Sequence, residues 1–520
     1  MQEEKEKKGL SLSLGQTGCM GFCDLEPLGI LRLPDRPTLI YTRMTGEKAI
    51  RILRDIKNNK IHRDGLLCKM WELDPSRRST VDFEDIPDYQ EVPLFNHQVR
   101  IALKGCGLID PLNVAEYAAM GGCYALHRAL YQMTPEEVLE EVEQSGLRGR
   151  GGAWFSTGLK WRMARESKGE EKFVICNADE GDPGAYKDRT IMEGNPFSLF
   201  EGMALAGYAI GSHQGLVYLR EEYPYTHVFL VKAIETAKKY GLLGNGVLGS
   251  QFNFNLKIIR GGGAYICGEE TALMDSIEGE VGDPRLKPPF PIERGLWDQP
   301  TIVNNVETLA NVPAIIQNGS RWYAGLGTES AKGAKILPVL GKVKYPGLYE
   351  VPLGTNLKKV IFDMAGGPSD RSEIKAVQVG SPFGNFIPGD RMGISLDPET
   401  LRHMDSMIGS GVIVVLDQKA CLVDTLLHIL HFFVEESCGK CVPCREGVFQ
   451  MKEIIQRIHV GRSFSTDLTA LSELGEMIKD FALCGLGGGA PNVVRHVLKD
   501  FRQDFEAHIR TGKCPWSESL

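Results

Sequence analysis

A multidomain α/β protein that ends in a cysteine-bearing helical segment is what this sequence predicts, on three observations. The chain has 520 residues, too many for one ordinary core at roughly 100–200 residues per domain. Between about 85 and 330, strand-like runs such as 172–176 and 256–259 alternate with helical patterns around repeated glycines, the mark of α/β layering. Over 419–510, apolar residues recur at helical spacing in 422–433 and 468–478, on either side of three closely spaced cysteines.

Each segment reads in order. The charged start, Met1 to Lys8, has no apolar signal core, and Cys19 and Cys23 follow it. A helical pattern covers 47–57, and an Asp-, Glu- and Pro-rich stretch at 74–92 reads as a linker. The glycine-punctuated α/β region comes next. From 335 to 417 short strands gather around turns, centred on 341–352, as a small and mostly β domain. There is no long internal repeat.

Composition narrows the function class. Hydrophobic residues make up 42% and charged residues 24%, as in soluble globular proteins. A net charge of -8 argues against nucleic-acid binding, which needs a concentrated basic face. No apolar run approaches the ~18 residues of a spanning helix, so the expectation is a cytoplasmic protein, membrane-associated only through partners. Thirteen cysteines, an odd number, read as reduced thiols and metal ligands rather than disulfides.

Cys438, Cys441 and Cys444 recur every third residue. Three thiolates on such a turn face one corner of space, and a fourth can close a 4Fe-4S cluster. Cys484 is the best fourth, because the glycines that follow it let backbone N–H groups approach the sulfurs. Structural zinc is the alternative, although its ligands usually come as two separated pairs.

The loop Arg148-Gly149-Arg150-Gly151-Gly152-Ala153, running into a helical pattern, suits phosphate binding: glycines permit close backbone approach, and Arg150 and Lys160 supply charge. A tight turn is the plainer reading. Asn177, Asp179, Glu180 and Asp182 follow a strand-like run, where α/β sheets bind ligands. Gly268, Glu269 and Glu270 follow another strand and open a helix, and such carboxylates can accept ribose hydroxyls while repelling a 2'-phosphate. Solvated surface acids would account for any one of them.

These motifs, with Arg285 to Pro291, Asn304-Asn305-Val306-Glu307-Thr308 and the terminal cysteines, occur in one order over roughly 100–510. Together they resemble the NADH-binding flavoprotein subunit of respiratory complex I and its relatives in NAD-dependent and electron-bifurcating hydrogenases and formate dehydrogenases. The resemblance implies FMN held by Gly149, Arg150, Gly151, Gly152, Lys160, Asn177, Asp179, Gly268, Glu269, Asn304 and Asn305, beside Glu180. It implies an NADH site lined by Phe155, Asp182, Glu270, Lys287 and Phe290. It also implies a β-grasp domain (331–418) after the FMN- and NADH-binding α/β domain (85–330), and a helical 4Fe-4S domain (419–510).

The chemistry is coherent, since NADH releases two electrons as hydride while a cluster accepts one at a time, and a flavin mediates between them. No catalytic side chain is required for that exchange. The expected function is therefore an NADH:acceptor oxidoreductase subunit of a larger redox complex, electron bifurcation being one form such a complex takes. A thioredoxin-like 2Fe-2S subunit and a further redox subunit are the expected partners.

Two departures stand out. The family commonly has glycine at Trp154 and proline at Ser156, so the indole is expected to touch bound nucleotide or to block its pocket; a blocked pocket would leave an electron relay or scaffold. A flavin-free ligand-binding module is a third reading. The Gly181-Asp182-Pro183 run looks more like the hydrogenase relatives. At the front, Cys19 and Cys23 (1–75) resemble the second half of a thioredoxin-like 2Fe-2S domain, a truncated remnant that is empty or is completed by thiols from elsewhere. Cys68, Cys106, Cys123, Cys421 and Cys514 read as packing or surface thiols, as do Cys176 and Cys267 within the ligand loops. The eleven histidines offer no cluster of their own.

Overall fold

The computed structural model describes residues 13–516 except 34–35, 59, 71–82 and 84. The charged start and most of the 74–92 linker therefore lie outside the described residues. The first sheet is antiparallel, in the order β1 (Gly29–Leu31), β2 (Thr38–Tyr41), β3 (Leu66–Met70). α1 (Gly46–Lys57) packs Ile52 against it. Thr45 starts that helix by accepting the Lys48 N–H, one of the donors a helix end leaves unpaired.

The central sheet is fully parallel: β4 (Phe173–Ala178), β5 (Gln214–Leu219), β6 (Asn255–Arg260) and β7 (Thr301–Asn305), ordered β6-β5-β4-β7. Its residues alternate faces, and both faces are covered, which is why these strands read as continuous apolar runs. Val174, Cys176 and Val217 share a core with α2 (Pro135–Gln144), α3 (Thr157–Glu166) and α5 (Pro196–Ile210), which follows α4 (Lys187–Gly194). Ile175, Leu216 and Tyr218 share another with α6 (Glu270–Glu278) and the C-terminal helices. The cysteine-bearing helices are thus built onto the sheet itself.

After α7 (Val306–Asn318) comes a mixed sheet. Its strands β8 (Ala334–Gly341), β9 (Gly347–Pro352), β10 (Ile374–Val379), β11 (Asn385–Pro388) and β12 (Ile413–Asp417) run in the order β11-β10-β12-β8-β9. Only β12 and β8 pair in parallel. The C-terminal bundle is α8 (Leu422–Glu435), α9 (Phe449–His459), α10 (Asp467–Phe481), α11 (Gly485–Asp500) and α12 (Arg502–Thr511).

Candidate functional site

Strand order reverses at β4, because the chain steps outward to β5 and β6 and then returns to its other side for β7. Ligands of open α/β sheets sit beyond the carboxyl ends of the strands at such a reversal. A cavity of about 240 Å³ lies there, open on one side. The end of β4 gives it Asn177, Asp179, Glu180 and Asp182, the end of β7 gives Asn305, and the glycine loop gives Gly151. Tyr265, Gly268 and Glu269 face them from the start of α6. The mixed sheet adds Phe383 and Ser410, and the bundle closes the wall with Gly485 and Leu486.

The cavity is built for a ligand rather than for packing. A side chain at Gly485 would meet nothing within 4 Å, and one at Gly268 nothing nearer than 3.6 Å. Neighbouring protein therefore does not dictate glycine at these positions, and the space they leave belongs to the cavity. At about 240 Å³ it is smaller than the roughly 300–1,000 Å³ of drug-sized ligand sites, so a ligand as large as a flavin nucleotide would extend beyond it through the open side.

Beneath it lies a charged floor. Lys187 Nζ stands 2.7 Å from Asp188 Oδ1 and 3.2 Å from Glu307 Oε2, and Lys335 Nζ stands 2.5 Å from the same Glu307 oxygen, all four side chains being buried. Asp188 Oδ2 accepts the Asn305 amide at 2.7 Å, which fixes the cavity-facing asparagine. Glu180 caps α4 by accepting the backbone N–H groups of Asp188 and Arg189. Burial, with Asp188 adding to it, pushes the Glu180 carboxyl up to about 7. Burial likewise raises Asp179 to about 7 against the pull of Arg220. Asp182 is raised by burial, although the Tyr265 hydroxyl donates to it at 2.6 Å.

At the outer edge a second network links the expected nucleotide residues. Lys287 Nζ is 2.8 Å from both Glu269 Oε1 and Glu270 Oε1, and Lys160 Nζ is 3.4 Å from Glu270 Oε2. Burial would raise Glu270, but the two lysines outweigh it and hold the carboxylate below its usual range. Phe155 and Phe290 are each 47% exposed, free to receive a flat ring, with Lys160 Nζ 5.9 Å from the Phe155 centroid.

Two expectations need correction, and the structure gives a third side chain, Trp154, its setting. The Arg150 guanidinium offers no charge to the loop's ligand face. It is wholly buried and spent on Ala334, Lys332 and Arg148 carbonyls and the Tyr323 hydroxyl, tying the loop to β8. Asn304 is occupied by the Trp161 indole at 2.9 Å and lies outside the cavity lining that holds its neighbour Asn305. Trp154 lies outside the lining of this cavity, as do Phe155, Glu270, Lys287 and Phe290: its ring packs on the core of the mixed sheet, 5.0 Å from the Arg150 guanidinium carbon. Its φ of 55° explains why glycine suits the position, since a side chain there carries strain. Ser156, in proline's place, caps α3 by accepting the Leu159 N–H. A Trp154→Gly variant should lose indole packing and gain strain relief, for a net loss of about 1 kcal/mol in thermal melts. With the ring packed on the mixed sheet, the variant's Michaelis constant for NADH should change by less than about twofold; a tenfold change would put the indole in the nucleotide pocket.

The four cysteines converge between α8 and α11. Cys438, Cys441 and Cys444 lie on the turn into α9, and Cys484 is the N-cap of α11, with the Leu486 and Gly487 N–H groups directed at its sulfur. Burial raises the Cys484 thiol, and these two N–H groups pull it part of the way back. The Ser437 hydroxyl lies 3.2 Å from Cys444 Sγ. A side chain at Gly487 would stand 3.0 Å from Cys444 Cβ. A tetrahedral zinc needs sulfurs roughly 3.8 Å apart, yet among the described residues the only group of metal-ligating atoms within 4.8 Å of one another is a different one. The four-cysteine set is more open than a single zinc ion requires. Glu436 accepts the Tyr265 N–H at 2.9 Å, joining cluster turn to cavity.

Sequence reasoning missed Lys187, Asp188, Phe383, Ser410, Gly485 and Leu486 as lining residues. It also missed the convergence of Cys421, His459, His508 and Cys514, read above as isolated residues. The front pair is engaged locally: Cys19 donates to Glu26 at 2.8 Å, and Cys23 Sγ is 3.3 Å from the Tyr186 hydroxyl, beside the cavity residues Ala185 and Lys187.

Comparison with known proteins matches three family descriptions along the chain. The Nuo51 FMN-binding domain covers 142–314, the SLBB domain 337–395, and the NADH-ubiquinone oxidoreductase-F iron-sulfur binding region 424–508. The NADP-reducing hydrogenase subunit HndC of Solidesulfovibrio fructosivorans is 48% identical over 80% of this chain and 85% of its own length. The second F-type subunit of NADH-quinone oxidoreductase in Rhizobium meliloti is 44% identical over 80% of this chain and 99% of its own. The crystal structure of an NAD+-reducing [NiFe]-hydrogenase in the H2-reduced state superimposes with a TM-score of 0.70 at 32% identity, over 95% of this chain and 77% of that one.

Proposed function

We propose that this chain, which belongs to the family of F-type subunits of NADH-quinone oxidoreductase, is the electron-input subunit of a larger redox complex, an oxidoreductase moving electrons from NADH through FMN to a 4Fe-4S cluster. One observation carries the reading: the cavity at the sheet's reversal point is walled by Gly485 and Leu486, and the preceding residue, Cys484, belongs to the cluster set. Bound FMN supplies the exchange between a two-electron donor and a one-electron acceptor.

The chain's own residues bind and orient. Asn177, Asn305, Gly151, Gly268 and Glu269 hold the flavin, with Asp179 and Glu180 beneath it and Lys160 at the edge, while Gly149 and Gly152 shape the turn. Phe155 and Phe290 receive the nucleotide's rings, and Asp182, Glu270 and Lys287 its ribose. Cys438, Cys441, Cys444 and Cys484 hold the cluster. The mixed sheet is read as a β-grasp domain, and the front segment with Cys19 and Cys23 as thioredoxin-like. A thioredoxin-like 2Fe-2S subunit and a further redox subunit are the partners. Among the described residues no helix is long and apolar enough to cross a membrane, which fits a cytoplasmic subunit reaching a membrane only through partners.

Anaerobically purified protein should hold about one FMN, bleached by stoichiometric NADH. Protein without flavin, or flavin indifferent to both NADH and NADPH, refutes the reading.

Nucleotide choice has two candidate answers, because one relative is a subunit of an NADP-reducing hydrogenase. Glu270, held ionised by Lys160 and Lys287, favours NADH, since a carboxylate accepts a ribose hydroxyl and repels a 2'-phosphate. Glu270→Gln should therefore narrow the NADH over NADPH ratio of kcat/KM roughly tenfold. An unchanged ratio removes Glu270 as the discriminating residue.

A further inference from the structure

Outside the cavity and the cluster turn, one set of residues is arranged as a ligand sphere. Cys421, His459, His508 and Cys514 each bring one sulfur or ring nitrogen to a common point, all within 4.8 Å of one another. They come from four places in the chain: the N-cap of α8, the last residue of α9, the interior of α12, and the segment beyond it. His508 is buried and the other three are half-buried.

We propose that these four residues bind one structural Zn²⁺ ion, separate from the iron-sulfur cluster. Cys421 Sγ stands 3.5 Å from His508 Nε2, and a tetrahedral zinc with sulfur and nitrogen ligands sets that edge at about 3.6 Å. The His508 tautomer is already fixed: Nδ1–H donates to the Asp504 carbonyl at 2.7 Å, leaving the Nε2 lone pair for the metal, as ligating histidines are normally supported. The Asp424 N–H reaches Cys421 Sγ at 3.4 Å across the first turn of α8, a hydrogen bond of the kind that orients a ligating sulfur. Two thiolates and two neutral imidazoles around a dication sum to zero, which suits a half-buried position.

The ligand set also narrows the occupant. Two cysteines and two histidines can hold a Rieske 2Fe-2S centre, but there sulfur and nitrogen ligands go to different irons; here one sulfur and one imidazole nitrogen share an edge of a single sphere. Four protein ligands close the sphere, so the site is structural rather than catalytic. Its role is to tie the first helix of the bundle to the last and to the chain beyond it. Lys375 reinforces the same corner, bonding Asp504 at 2.6 Å and standing 4.2 Å from the Trp516 ring centroid.

Full-length protein, prepared anaerobically with its cofactors, decides the matter by metal analysis and zinc K-edge absorption. The expected result is about one zinc per chain alongside about four irons, with two sulfurs near 2.3 Å and two nitrogens near 2.0 Å around the zinc. His508→Gln with Cys514→Ser should drop zinc at least about fivefold while iron and the cluster's EPR signal persist. Absence of zinc from the wild type, an all-sulfur shell, unchanged zinc in the double variant, or a Cys421–Cys514 disulfide by mass mapping would each overturn the assignment. Should the variant not fold, the wild-type absorption spectrum still decides it.

Discussion

Replacing Cys441 by serine is expected to remove the iron-sulfur cluster and leave flavin chemistry in place. Iron and acid-labile sulfide should fall at least about tenfold, because a cuboidal cluster needs all four thiolates, and the reduced cluster's EPR signal should vanish. NADH should still bleach the flavin in a single turnover, since Cys441 contributes nothing to the cavity wall. Cys484→Ser is expected to differ in one respect. Its neighbour Gly485 does form that wall, so the flavin absorption maximum should shift along with cluster loss. Iron retained in full by both variants would sink the ligand assignment, and identical flavin spectra would sink the shared wall.

The second large effect concerns the floor of the cavity. Glu307→Gln should cost about 3–5 kcal/mol, the range for removing one partner from a buried ion pair. Glu307 is the hinge of the network: Lys335 and Lys187 both reach it, and it accepts the Ile336 N–H at 2.9 Å. Its carboxyl is pushed up by burial but pulled further down by Lys335 and Lys187, so it is ionised throughout the neutral range. Lys335 is already held down at about 8 by burial, and without Glu307 it would give up its proton. Pairing Glu307→Gln with Lys335→Met should recover part of the loss, because the buried amine that has lost its partner is then replaced by an apolar side chain. The measurement is the temperature at which flavin fluorescence is released, which follows the domain that carries the network rather than the chain as a whole. A shift no larger than an exposed substitution gives would show that the network adds little.

What the sequence made legible follows from locality. The cluster triplet, the glycine loop, the Asn177 to Asp182 turn and the Gly268 to Glu270 turn are contiguous, so spacing alone put their residues on one loop. The expected helices at 47–57, 422–433 and 468–478 appear at Gly46–Lys57, Leu422–Glu435 and Asp467–Phe481, because apolar periodicity reports burial directly. Direction was not legible. Arg150 sits within a glycine loop yet points into the protein, since four acceptors around Lys332 and Tyr323 outcompete the ligand face. Trp154 follows the same logic, its left-handed backbone turning the ring toward the mixed sheet. The Cys421, His459, His508 and Cys514 set escaped because no two of its members share a metal-binding spacing; only the packing of α12 against α9 and α8 assembles it.

The peptide bond between Cys484 and Gly485 has a consequence for how such a protein can be rearranged. Cofactor domains that merely dock can be cut apart, recombined and reattached by linkers, with electron transfer then set by how often they meet. Here a residue of the cavity wall and the proposed cluster ligand are consecutive, so on the proposed reading the separation of the two redox sites is fixed by covalent geometry and does not vary with domain motion. A chimera that exchanges the helical segment alone would import a foreign wall into the cavity. The smallest transplantable unit therefore runs from the glycine loop through α11, and the separable pieces are those outside it.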